Sequence, residues 1–165
     1  MIIKGRSWRF GDNISTDHII PGRFYHLRSN LEELKKYVFD DIAPGFYSRI
    51  SKGDIIAGGN NFGLGSSREH APLIIKMAGI DAIVANSFAR IFYRNAINVG
   101  LAAIICNVDD IDEGNLLEIR VDEGVLYNIT KGTSKRFPPL PPIMMDILRE
   151  KGLDNYIKKH GGLNI

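Results

Sequence analysis

The chain of 165 residues contains a single cysteine, Cys106. One cysteine cannot form an intramolecular disulfide, and one thiolate is too few to hold an iron–sulfur cluster or a thiolate metal site, so we expect no metal bound by this chain. The chain also lacks a large excess of either positive or negative charge. Its 21 lysines and arginines are nearly balanced by 19 aspartates and glutamates, for a net charge of +2. This balance argues against a nucleic-acid partner and predicts that any bound anion is small.

Long apolar runs are absent as well. No stretch approaches the roughly 20 apolar residues of a membrane span, and residues 1–6 lack the apolar centre of about 7–15 residues that a signal peptide has. We therefore expect no membrane partner and a cytoplasmic location. With 44% hydrophobic and 24% charged residues, the composition is typical of a globular protein, and the length predicts one domain over residues 1–165.

The middle of the chain alternates short apolar runs with helical patterns. Strand, helix, strand, helix, strand with short connections is typical of a parallel sheet with right-handed crossovers. Ligands of such sheets bind at the carboxyl ends of the strands, which is where a loop rich in glycine and asparagine follows the first run. The predicted elements, in chain order, are 54–58 (strand), 66–77 (helix), 82–85 (strand), 87–97 (helix) and 101–105 (strand).

The two flanks of this unit have other patterns. Before it, alternation predicts a strand and capping residues predict a helix, with a loop between them. After it, two runs around a turn predict a β-hairpin, and residues 143–165 are expected to hold closing helices stopped by glycine. The predicted flanking elements are 2–10 (strand), 15–22 (loop), 31–39 (helix), 116–121 and 125–129 (hairpin), and 143–151 and 153–160 (helices).

The segment 60–70 is the most informative part of the sequence. Its glycines allow a close backbone approach to a ligand, a helix starting at Ser66 would offer free N–H groups, and the Arg68 guanidinium suits a carboxylate. Together they predict a cradle for an anion. The alternative is purely structural: Ser66 and Glu69 have the spacing of a capping box, and the glycines would then serve only a tight turn.

Three other groups of polar residues have functional and structural interpretations. In residues 16–18, an acid and an imidazole lie side by side, although the sequence alone favours a turn-forming aspartate and a half-buried histidine. Loop arginines beside aromatics in 23–28 either contact a substrate or are solvated. The helix 87–97 carries polar residues, but apolar residues recur on it at core spacing. These groups are Thr16, Asp17 and His18; Arg23, His26 and Arg28; and Arg90, Arg94, Asn95 and Asn98.

Residues 15–21, 61–71 and 87–100 together resemble the swivel domain of the aconitase superfamily, and the Gly-Leu-Gly-Ser-Ser-Arg-Glu-His-Ala sequence within 63–71 is highly specific. A domain of this length standing alone is similar to the small subunits of the 3-isopropylmalate dehydratase and homoaconitase family. The resemblance implies an α/β fold, a three-layer β/β/α swivelling domain whose mixed sheet contains parallel βαβ units.

The resemblance also implies a hydro-lyase that removes and re-adds water on a small hydroxy-di- or tricarboxylic acid. Our leading hypothesis is the isomerisation of 2-isopropylmalate and 3-isopropylmalate in leucine biosynthesis, and the alternative within the class is a homoaconitase or a related hydroxyacid dehydratase. From a different class, the chain could be a non-catalytic anion-binding or regulatory module. A [4Fe–4S] cluster supplies the Lewis acid in this family, and the single cysteine implies that a large partner subunit holds it.

Site residues follow from the resemblance position by position. Ser66 resembles the serine that acts as the base, and Asp17 the aspartate that orients groups around the substrate hydroxyl. Thr16, Ser67 and Arg68 match substrate-binding positions. Arg28 resembles a substrate-binding arginine, which would favour a third carboxylate where isopropylmalate has an isopropyl group. We expect the loop 23–29 to close over this variable group.

Overall fold

The computed structural model describes residues 1–163. Its strands form one sheet of seven in the order β4-β3-β2-β1-β5-β6-β7 within that range. The strands are β1 (Ile2–Arg9), β2 (Asp54–Gly58), β3 (Ile80–Ala85), β4 (Ala102–Ile105), β5 (Leu116–Arg120), β6 (Val125–Asn128) and β7 (Thr133–Arg136). The α-helices are α1 (Thr16–Ile19), α2 (Leu31–Leu34), α3 (Phe46–Arg49), α4 (His70–Met77), α5 (Arg90–Asn98), α6 (Pro142–Arg149) and α7 (Leu153–His160).

The parallel half of the sheet contains β1 to β4. β1 pairs in parallel with β2, β2 with β3, and β3 with β4. α4 connects β2 to β3 and α5 connects β3 to β4, so the predicted βαβ units are present. Every residue of β2 is buried, which explains its continuous apolar run. The predicted α/β fold with a mixed sheet is confirmed.

The antiparallel half contains β5, β6 and β7, and it joins the rest through β1, which pairs antiparallel with β5. The predicted hairpin is confirmed as β5 and β6. Burial alternates along β5, with Leu117 and Ile119 facing the core, so the hairpin covers the core with only one face. β7 was not expected from the sequence, and its four residues are mostly exposed.

The segment 15–37 is more helical than the sequence predicted. The expected loop at 15–22 contains α1, because the Ser15 side chain accepts a hydrogen bond from the N–H of His18 while His18 Nδ1 accepts one from the N–H of Ser15. The expected loop at 23–29 is a 3-10 helix, Gly22–Ser29. The predicted helix 31–39 ends early, as α2 followed by a 3-10 turn, Lys35–Tyr37.

The predicted helix 66–77 is wrong at its start, since α4 begins at His70. Pro72 explains the difference. In a helix beginning at Ser66, Pro72 would lie in the interior, where its missing N–H and its ring conflict with the turn before it. In the helix that begins at His70, Pro72 lies in the first turn, where backbone N–H groups have no partner within the helix.

The closing helices are α6 and α7, close to the predicted 143–151 and 153–160. Gly161, at φ 74°, ends α7 in the left-handed conformation. The last two residues of the predicted closing region 143–165 lie outside the described residues. Within residues 1–163, no helix has both the length and the apolar character needed to cross a membrane.

Candidate active site

A cavity of about 210 Å³ lies beside the carboxyl ends of the parallel strands. The loop that follows β2 forms one wall and the first turns of α5, which follows β3, form the other. The two loops meet because Phe62 and Phe88 form an isolated parallel bridge. The cavity is lined by Thr16, Gly63, Gly65, Ser66, Ser67, Arg68, Ala89, Arg90, Ile91, Phe92 and Asn95.

The glycine-rich loop is fixed from two sides. Gly63 has φ +85°, and a Cβ added there would lie 2.1 Å from Cγ of Phe92, so only glycine fits. The N–H of Gly63 donates to the carbonyl oxygen of Ile14 over 2.7 Å. Farther along, the hydroxyl of Thr16 donates to the carbonyl oxygen of Ser66 over 2.8 Å. The loop therefore rests on α5 and on the residues around the start of α1.

Ser66 and Ser67 are exposed residues on the cavity wall. The expected helix N-terminus is not at Ser66, because α4 begins four residues later. The capping box predicted for Ser66 and Glu69 is also not formed, since Glu69 is itself the N-cap residue of α4 and no side-chain hydrogen bond caps that helix. Ser66 is thus a loop residue, and its nearest cationic neighbour in sequence is Arg68.

Arg68 is held by three contacts. Its guanidinium lies 2.7 Å from Oδ1 of Asp17, donates to the carbonyl oxygen of Ile20 over 2.8 Å, and lies 4.7 Å from the ring centroid of Tyr25. The Arg68 side chain is 17% exposed and that of Asp17 is 66% exposed. The structure thus joins Asp17 and Arg68, which the sequence analysis had placed in separate groups.

Thr16 and Arg28 have different surroundings from those expected of substrate-binding residues. Thr16 is buried and its hydroxyl is already bonded to the carbonyl of Ser66. Arg28 is exposed, donates to the carbonyl oxygen of Tyr25 over 3.2 Å, and has its guanidinium 4.8 Å from the same tyrosine ring. Arg28 lies outside the set of residues that line the cavity. The substrate-binding roles of both residues stay predictions.

The contribution of α5 to the cavity was largely missed. The spacing of apolar residues favoured a core role for this helix, and Phe92, Ala96 and Ile97 do face the core. However, Arg90, Ile91 and Asn95 belong to the cavity wall, and Ile91 is 56% exposed. The sequence did hold one indication of this role. The helix begins shortly after a predicted parallel strand, and ligands bind at the carboxyl ends of such strands.

The cysteine and carboxylate chemistry of the chain does not fit an iron–sulfur cluster. Cys106, which follows β4, is 6% exposed, and burial raises the pKa of its thiol, which favours the protonated form. Within residues 1–163, no three histidine, cysteine, aspartate or glutamate side chains are grouped so that they could hold a metal ion. A cluster that needs several thiolates therefore has no place on these residues.

Comparisons with known proteins agree with this fold. The aconitase C-terminal domain family matches residues 46–107. A 3-isopropylmalate dehydratase small subunit of Thermotoga maritima is 60% identical over 161 residues, 97% of each chain. A methanogen homoaconitase small subunit of Methanothermobacter thermautotrophicus is 51% identical over 158 residues, 96% of this chain and 92% of its relative. The crystal structure of a 3-isopropylmalate dehydratase of Methanocaldococcus jannaschii matches with a TM-score of 0.92 and 45% identity, over 98% of this chain and 96% of that one.

The similarities to the two relatives and to the crystal structure extend over nearly the whole chain. The protein is an α/β domain of the aconitase superfamily. It belongs to the family of 3-isopropylmalate dehydratase small subunits.

Proposed function

We propose that this chain is the small subunit of a heteromeric hydro-lyase that isomerises 2-isopropylmalate and 3-isopropylmalate by dehydration and rehydration, in leucine biosynthesis. The observation that supports this best is the meeting of Ser66, Ser67 and Arg68 in one small cavity, beside an Asp17 that pairs with Arg68. Removing a proton next to a carboxylate needs a base, which a deprotonated serine can be, and a cation that binds the carboxylate, which a guanidinium supplies. The cytoplasmic location expected from the sequence is part of this proposal.

Ser66 is the base in this proposal. A serine hydroxyl is a weak base in water, so the site must stabilise the alkoxide that forms when Ser66 has lost its proton. The nearby charge of Arg68 favours that alkoxide, and the hydrogen bond from Thr16 to the carbonyl oxygen of Ser66 fixes the backbone that presents the hydroxyl. Ser67, next along the same wall, is a hydrogen-bond donor for the substrate.

Arg68 binds one substrate carboxylate. Its contacts with Asp17 and with the carbonyl of Ile20 use only part of the five N–H donors of a guanidinium, so donors are left for a ligand. Asp17 holds Arg68 in place and, being 66% exposed, is accessible to a substrate hydroxyl as well. Arg28 contributes only if the substrate carries a further carboxylate.

A large subunit completes the enzyme. It carries the [4Fe–4S] cluster, which supplies a Lewis acid for the hydroxyl that leaves the substrate. The single cysteine of this chain, buried after β4, supports the assignment of the cluster to the partner. The small subunit then supplies the base and the carboxylate clamp.

The proposal is tested by assaying this chain with and without its cognate large subunit. We expect the chain alone to be colourless and inactive, and the complex to form an alkene from 3-isopropylmalate that is followed by its ultraviolet absorbance. The same complex is offered homoaconitate as the competing substrate. Iron–sulfur absorbance in the purified chain alone would contradict the assignment of the cluster to the large subunit. Turnover of homoaconitate with none of isopropylmalate would contradict isopropylmalate as the substrate.

A homoaconitase-type activity is the second candidate, because Arg28 lies on the same tyrosine as Arg68. If Arg28 binds a third carboxylate, Arg28→Leu weakens the use of tricarboxylate substrates by about 100-fold or more and spares an isopropyl substrate, since a charged hydrogen bond in a desolvated site is lost. Equal effects on both substrates, or no effect on either, mean that Arg28 is a solvated surface residue.

A further inference from the structure

Tyr25 contacts two arginines with one ring. The guanidinium carbon of Arg68 lies 4.7 Å from the ring centroid and that of Arg28 lies 4.8 Å from it. Both distances are within the roughly 6 Å at which a cation is attracted by the face of an aromatic ring. Because both carbons are measured from one centroid, they are at most about 9.5 Å apart. The ring brings two like charges close together and offsets part of their repulsion.

The ring is presented by a segment that is itself well held. Tyr25 belongs to the 3-10 helix Gly22–Ser29, whose Phe24 stacks on Tyr37 with ring centroids 4.0 Å apart. Arg23 adds ion pairs with two aspartates that follow the turn, Asp40 and Asp41. Tyr25 is nevertheless 36% exposed, so the need to bury an aromatic side chain does not explain its place on Arg68.

We propose that Tyr25 is a positioning residue that sets the place of the Arg68 guanidinium at the cavity and ties it to the segment carrying Arg28. The inference rests on the proposed function, because the value of a fixed Arg68 is that it receives a substrate carboxylate. Asp17 and the carbonyl of Ile20 restrain the guanidinium through single polar contacts. The ring adds a contact that involves none of the hydrogen-bond donors, which leaves the remaining N–H groups free for the ligand.

The proposal is tested with two substitutions at Tyr25 and one matched control. Tyr25→Leu removes the ring, whereas Tyr25→Phe keeps it and removes only the hydroxyl. The control is Tyr127→Leu, because Tyr127 in β6 also has an arginine over its face, Arg120 at 5.0 Å, but in the antiparallel half. The variants are assayed in complex with the large subunit, with 3-isopropylmalate as substrate.

We expect Tyr25→Leu to raise KM by about 3- to 30-fold, the range of a cation–π contact, with kcat changed by less than about 3-fold. Tyr25→Phe and Tyr127→Leu should stay within about 2-fold of wild type in both constants. An unchanged KM in Tyr25→Leu, or an equal rise in Tyr127→Leu, overturns the positioning role. A purely structural role would instead lower the thermal midpoint and the active fraction without a selective change in KM.

A second measurement separates this inference from the proposed function. In the isolated chain, an aromatic ring next to a guanidinium moves the NMR signals of the Arg68 side chain, and this shift should be present in wild type and Tyr25→Phe and lost in Tyr25→Leu. Identical Arg68 signals in all three proteins overturn the positioning role. A wild-type complex that turns over neither isopropylmalate nor homoaconitate overturns the proposed function, while the NMR comparison still decides where Tyr25 places Arg68.

Discussion

The parallel and antiparallel halves of the sheet contain similar residues but use them differently. Each half has a tyrosine with an arginine over its ring, glycines with positive φ, and serine and threonine side chains. In the parallel half, the loops after β2 and β3 leave the same edge of the sheet and enclose the candidate site. In the antiparallel half, consecutive strands run in opposite directions, and the polar residues pair with one another, as Lys135 does with Asp110 and Arg120 with Glu118. The chemistry therefore depends on strand direction and on where loops meet, more than on residue types.

The sharpest test of this contrast replaces one serine in each half. Ser66→Ala should lower kcat by about 10²–10⁴-fold, because the proposed base is removed, while Ser134→Ala in β7 should leave kcat unchanged. Both serines are exposed, so the free energy of unfolding of each variant should differ from that of wild type by no more than about 0.5 kcal/mol. Steady-state kinetics of the complex and urea unfolding of the chain measure the two effects. Near-normal turnover of Ser66→Ala would mean that the base lies elsewhere.

Substituting one glycine in each half distinguishes the cost of a steric clash from the cost of a left-handed backbone. Gly63→Ala should lower the free energy of unfolding by about 3 kcal/mol, since the new Cβ meets Phe92 and the backbone is left-handed. Gly132 is also left-handed, at φ +68°, but the space around its Cβ position is open. Gly132→Ala should therefore lower the free energy of unfolding by only about 1 kcal/mol. Urea titrations compare the two variants. Equal losses would show that contact with α5 does not constrain the loop.

The threonine that holds the glycine-rich loop at Ser66 should matter more than one on the edge strand. Thr16→Val removes the hydrogen bond to the carbonyl oxygen of Ser66, and we expect a loss of about 1 kcal/mol in stability and about 10-fold in kcat. Thr16→Ser, which keeps the hydroxyl, should recover most of the activity. Thr133→Val in β7 loses only an exposed contact with Asp110, so kcat should not change. If Thr16→Ser is as impaired as Thr16→Val, the hydroxyl is not what positions the loop.

The smallest effect is a pH dependence confined to the antiparallel half. The contact with Lys135 Nζ, 2.8 Å from Oδ1, holds the pKa of Asp110 below its ordinary value. Because the folded pKa is the lower one, this stabilisation is complete above the ordinary pKa of about 3.9 and is lost as the pH falls through the lowered value. Asp110→Asn should therefore lower the free energy of unfolding by at most about 1 kcal/mol at pH 7, and by progressively less as the pH falls through the lowered pKa, as measured by urea unfolding at each pH. A cost independent of pH would contradict this origin.

Much of the sheet was predictable from the sequence because its strands have strong local patterns. Buried runs indicated β2, β3 and β4, and two runs around a turn indicated the hairpin. β7 was missed because the residues of Thr133–Arg136 are polar and show no alternation. The start of α4 was predicted wrongly because the capping pattern at Ser66 was weighed without Pro72.

The site was predictable as a set of residues but not as a geometry. The glycine-rich motif identified Ser66 and Arg68, which line one cavity, but the helix N-terminus expected at Ser66 is absent and the roles of both residues stay predictions. The contacts of Arg68 with Asp17 and Tyr25 join positions that are far apart in the sequence, so no local pattern could indicate them. For the same reason, the part of the wall formed by α5 could be placed only once the strands were paired.

The position of β1 in the middle of the sheet has a consequence for how the chain assembles. One edge of β1 pairs with β2 and the other with β5, so that Arg6 lies opposite Leu116. During synthesis, all four strands of the parallel half leave the ribosome before β5, and the second edge of β1 remains unpaired until β5 arrives. An unpaired edge is a template for pairing with other chains, and positive charge along a strand discourages such pairing. Lys4 places such a charge on β1, opposite Glu118 of β5.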